Sequence, residues 1–72
     1  MAANSLSRVK IAERFLARAE ELVAIQLEII VRLKRFKKST DAAENLLVKL
    51  QLGVKHAMEG RDLAAALATR LH

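Results

Sequence analysis

The sequence contains no cysteine and no proline, only two glycines (Gly53 and Gly60), and only two aromatic residues, Phe15 and Phe36. Each absence excludes something. Without cysteine there is neither a disulfide framework nor a thiolate metal site, which suits a reducing compartment, and a cytoplasmic location is expected. Without proline and with so little glycine, the chain lacks the punctuation that a succession of strands and turns requires. The poverty in aromatics removes the stacking platforms by which proteins hold single-stranded nucleic acid. Long apolar runs are missing too. The richest stretch, residues 22–33, carries Gln26, Glu28 and Arg32 and is too short to cross a bilayer. The first ten residues lack the apolar core of a secretory signal, and Glu13, Glu20 and Glu21 disfavour a mitochondrial presequence.

What is present is mostly Leu, Ala, Ile and Val, with 53% apolar and 29% charged residues over 72 positions. That is the composition of a helix bundle. The whole chain, residues 1–72, reads as one domain, close to the lower size limit for folding alone. Domains so small normally need disulfides, a metal or a second subunit. The net charge of +5 is uneven: residues 1–40 hold nine Lys/Arg against four Glu, and residues 41–72 hold four against four Asp/Glu. Arg32, Lys34, Arg35, Lys37 and Lys38 crowd into one short stretch, which would attract acidic partners.

An uninterrupted first helix is expected from Ser5 or Ser7, as N-cap, to about Lys37, where a run of cations complements the helix dipole. The break is expected at Ser39-Thr40-Asp41, with Asp41 and Glu44 spaced as a capping box for the second helix. A connection that short returns helix 2 antiparallel beside helix 1. Counting outward from this turn places Leu22 near Ala57 and Phe15 near Ala64.

On a helical wheel, Ile11, Phe15, Leu22, Ile25, Ile29, Leu33 and Phe36 cluster on one side of helix 1. Ala12, Leu16, Ala19, Val23, Leu27 and Ile30 extend it to an arc of roughly 200°, against the ~100° stripe of a surface helix. One neighbour cannot cover such an arc. The expected architecture is therefore an all-α antiparallel hairpin of two long helices, assembling as a homodimer or larger oligomer into a four-helix bundle. Phe15, Leu22, Val23, Gln26, Ile29, Ile30 and Leu33 are its expected interface and core. Gln26, polar among apolar neighbours, would fix register or subunit number. Glu28 and Arg32 are spaced as a favourable i,i+4 pair.

Helix 2 has Leu46, Leu47, Leu50, Val54, Ala57 and Met58 on one face. After Gly60 the apolar set Leu63, Ala64, Leu67, Ala68 and Leu71 is rotated by roughly a quarter turn. A straight helix would push Arg61 into the apolar face. One helix, bent or continuous, is expected, the alternative being a break at Gly60-Arg61 with Asp62 capping a short third helix. Gly53, Ala57, Gly60 and Ala64 form a line of small residues suited to close packing or to receiving large side chains of helix 1. Val31, Val48, Leu52 and Leu63 fall outside the main faces and offer further contacts.

Chemistry is sparse. His56 and Glu59 read as a solvated pair rather than half a metal site, since di-metal bundles need several inward carboxylates and histidines. Ser5, Ser7 and Ser39 read as capping or turn residues without a positioned base. No phosphate-binding glycine loop occurs. No enzyme activity, metal, cofactor or small-molecule substrate is expected. The leading expectation is a homo-oligomeric helical module that binds another protein as an adaptor or regulator. The alternative is a basic regulator contacting RNA or DNA phosphates through residues Arg32–Lys38.

Overall fold

The computed structural model describes residues 2–70, with side-chain surroundings from Ser7 onward. It consists of two helices, α1 (Ala2–Arg35) and α2 (Asp41–Arg70), packed against each other along their length. The molecule is a rod, 55 × 14 × 11 Å. Its radius of gyration of 16.5 Å compares with about 11 Å for a compact chain of this length.

The turn is built by α1's own end. Lys37 adopts a left-handed conformation with φ 55°. Lys37 N–H donates to the Lys34 carbonyl at 3.0 Å and Lys38 N–H to the Leu33 carbonyl at 2.9 Å. Those two bonds are a Schellman motif, which normally places glycine at the left-handed position. Lysine there carries a steric cost of about 1 kcal/mol. At the start of α2 the Thr40 carbonyl accepts the Glu44 N–H at 2.8 Å, so Thr40 is the N-cap. The expected Asp41–Glu44 capping box does not form. Asp41 is the first helical residue, and both carboxylates lie in the first turn, where they favour the dipole. α1 likewise starts earlier than expected, so Ser5 and Ser7 lie within it rather than capping it.

The seam between the helices follows a strict 3–4 alternation. On α1 the covered positions are Val9, Ala12, Leu16, Ala19, Val23, Gln26, Ile30 and Leu33. Facing them are the N-cap Thr40 and, on α2, Ala43, Leu47, Leu50, Val54, Ala57, Arg61, Ala64 and Ala68. A heptad of this kind keeps one seam facing the partner along both rods. The burial is shallow: among described residues only Leu16, Ile30, Ala68 and Gln26 fall below a tenth exposed.

Helix α2 runs through Gly60-Arg61 without a break. Arg61 does enter the seam line, as the wheel indicated, and is half-buried. Its stem lies along the seam while its guanidinium turns to Asp62, at 3.0 and 3.2 Å from one carboxylate oxygen. This snorkelling removes the need for a kink. The register differs from the count outward from the turn. Val23 and Glu20 share a cleft with Gln51 and Val54, and Phe15 shares a groove with His56 and Ala57. Paired positions thus sum to about 73 rather than 79, because the left-handed turn at Lys37 ends α1 earlier than a break centred on Thr40 would.

Candidate functional site: an open apolar face and a basic tip

Helix α1 carries a second 3–4 line, offset by roughly 110° from the seam at 100° per residue: Ile11, Phe15, Arg18, Leu22, Ile25, Ile29, Arg32 and Phe36. The hairpin leaves most of it bare. Phe15 is 68% and Phe36 69% exposed, and Ile11, Ile25 and Ile29 are also exposed. Leu22 alone of its apolar members is half-covered. The expected core set is therefore divided. Val23, Gln26, Ile30 and Leu33 are used inside the hairpin, against α2. Phe15 and Ile29 point away from it.

On α2, Leu46, Gly53, Gly60 and Leu67 repeat at intervals of seven, one step round from the seam. They lie on the same side of the hairpin as the bare line of α1. Ile11, Phe15, Ala57 and Gly60, with Arg8 and His56, line one groove of about 460 Å³, and Gly60, Leu63, Ala64 and Leu67 continue it towards the open end. Within the quartet of small residues, Ala57 and Ala64 belong to the seam. Gly53 and Gly60 do not: a Cβ built at either meets nothing within 4 Å. The close approach expected of these glycines does not occur inside the hairpin, because the seam passes one residue line away from them.

Gln26 is 6% exposed, and its amide nitrogen donates to the Ala43 carbonyl of α2 at 2.8 Å. It ties α1 to the first turn of α2. No side-chain nitrogen or oxygen among the described residues is buried without a partner. The hydrogen bond was not legible in the sequence, where Gln26 looked equally suited to an interface between chains.

Arg32, Lys34, Arg35, Lys37 and Lys38 all sit exposed at the turn end of the rod. None has a carboxylate within 4 Å among the described residues. The ion pairs found are Arg18–Glu21 at 3.1 Å and Arg61–Asp62 at 3.0 Å. The expected Glu28–Arg32 pair is not among them. Arg32 instead lines a shallow patch with Leu27, Glu28, Val31 and Arg35. His56 and Glu59 are exposed, and no group of three His, Asp or Glu among the described residues could hold a metal ion. His72 and Leu71 lie outside the described residues. Of the residues off the main faces, Val31, Val48, Leu52 and Leu63 are all exposed. No helix among the described residues is long and apolar enough to cross a membrane.

Comparison with family models, with curated proteins and with solved structures gives no match to this chain.

Proposed function

We propose that the chain is a non-enzymatic, homo-oligomeric helical module whose working unit is a bundle of at least two hairpins. One observation carries this reading: the apolar face of α1 that α2 leaves uncovered. The area supports it. The hairpin exposes 5821 Å², whereas a compact chain of its mass exposes about 4,450 Å². The excess is about 1,400 Å² per chain, or about 2,700 Å² for two copies, within the range of obligate homodimers. A second copy would remove Phe15, Ile25, Ile29 and Phe36 from water and form the four-helix bundle. Light scattering coupled to size exclusion tests it: the mass should be at least twice the 8.0 kDa of one chain at micromolar concentration. A helical species of single-chain mass contradicts it.

A second reading rests on the tip. Five cations with no carboxylate within 4 Å among the described residues, at one end of a rod, suit an acidic partner, whether phosphates of RNA or DNA or an acidic protein surface. The apolar face would then provide assembly and the tip recognition. If five phosphates are contacted, affinity for duplex RNA should fall on the order of 500-fold between 50 and 200 mM salt. Salt-independent binding, or none, removes this reading and leaves protein binding through the exposed Leu and Val positions.

A further inference from the structure

We infer that the open face takes a second copy of this chain in antiparallel orientation, with α1 on α1 and α2 on α2 about one two-fold axis; this rests on the oligomeric reading above. A heptad line reverses onto itself at pair sums seven apart, and one choice of sums gives both helices a common axis. On α1 the bare line superposes on itself, reversed, when paired positions sum to 40. Ile11 then meets Ile29 of the second copy, Phe15 meets Ile25, and Leu22 meets Arg18, whose head is held aside by Glu21 at 3.1 Å. The centre is position 20. On α2, Leu46, Gly53 and Gly60 reverse onto one another when positions sum to 106, which leaves Leu67 level with Ser39 in the turn of the second copy. Leu46 then seats over Gly60 of the second copy, and Gly53 approaches Gly53 at the axis. Its centre is position 53. Positions 20 and 53 stand at the same level of the hairpin, where Glu20, Val23, Gln51 and Val54 share one cleft. One axis through that level satisfies both helices.

Size and charge agree with this arrangement. The glycines, which meet nothing inside the hairpin, receive a leucine or a facing backbone, so their missing side chains become room for contact. α1, with its Ile, Leu and Phe, forms an ordinary apolar seam beside them. The alternative two-fold, along the rods, would bring both turns to one end. It would set ten cations from Arg32, Lys34, Arg35, Lys37 and Lys38 at one end, outnumbering the Asp41 and Glu44 carboxylates of the two copies in the first turns of α2. The antiparallel pairing holds the two tips about 50 Å apart at 1.5 Å per residue, many times the ~8 Å screening length at physiological salt. It brings Arg8 level with Arg32 of the second copy, at the rim, where both stems can turn to water. The product is a rod with a basic tip at each end.

Because the chain has no cysteine, Ser39→Cys gives one labelling site, and it lies in the exposed turn. Spin labels there should read about 50 Å between copies. A dimer whose labels lie within about 25 Å overturns the orientation and leaves the oligomer standing. A labelled chain that sediments as a helical monomer overturns the oligomer itself. A second variant checks the register: Phe15→Cys with Ile25→Cys, about 15 Å apart within one helix, cannot close on itself. Oxidation should give covalent dimers joined 15 to 25. Dimers joined only 15 to 15 and 25 to 25 overturn the pairing.

Discussion

Helix α1 presents two heptad faces that are alike in spacing and unlike in content. The face turned to α2 holds Ala12, and then Ala19, Val23 and the polar Gln26 between Leu16 and Ile30. The face turned away holds Ile11, Phe15, Leu22, Ile25, Ile29 and Phe36, including both aromatic residues of the chain, together with Arg18 and Arg32. The larger apolar side chains are thus placed where the hairpin does not use them. A seam with only four buried residues among those described, none of them fully buried, is a weak basis for a 72-residue fold. The difference supports the proposed assembly: the inner face sets which helix lies beside which, and the outer face would supply most of the apolar burial.

Substitutions that distinguish the faces should rank accordingly. The largest effect is expected on the outer side. Ile29→Asp or Leu22→Asp would set a carboxylate into the seam between copies, and circular dichroism should show an unfolded chain rather than a folded monomer. Next comes the inner face, where Leu16→Ala removes a side chain that is 7% exposed. Chemical denaturation should show a loss of about 2–4 kcal/mol with the oligomer retained at high concentration. Gly53→Leu comes third. It adds bulk that the hairpin tolerates, since nothing lies within 4 Å, but that meets its own copy at the proposed axis. Association, followed by sedimentation, should weaken by about tenfold, an overpacking cost of about 1.4 kcal/mol. Equal or tighter association would place the glycines outside the interface.

Two smaller effects sharpen the picture at the turn end. Lys37→Gly relieves the left-handed lysine and should raise stability by about 0.5–1 kcal/mol in denaturant titrations. Gln26→Leu exchanges one hydrogen bond for apolar burial, and a change within about 1 kcal/mol is expected. A larger loss would mean that the bond to Ala43 governs the register of the hairpin.

The sequence made the class of fold plain. An unbroken first helix, a polar turn between Lys38 and Asp41, and apolar residues around more than half of α1 sufficed for two antiparallel helices. It left undecided which part of that wide arc faces α2, because both lines of α1 share the 3–4 spacing and only three-dimensional packing chooses between them. It misdirected at the turn. The Asp41–Glu44 spacing looked like a capping box, but a Schellman ending at a non-glycine residue has no sequence signature, so Thr40 took the cap and the register moved. Gly53 and Gly60 stood out as places suited to close packing, yet the spacing could not say that the seam passes beside them and leaves both without a neighbour inside the hairpin. The basic tip was visible as a charge cluster, and its lack of nearby carboxylates required coordinates.

The most direct test follows helicity and mass together on dilution. If the outer face supplies most of the burial, the far-ultraviolet helix signal and the sedimenting mass should fall in one concentration-dependent transition, from at least twice 8.0 kDa to an unfolded single chain. A single chain that keeps its full helix signal after dissociation would contradict the account, because the inner seam would then hold the fold alone.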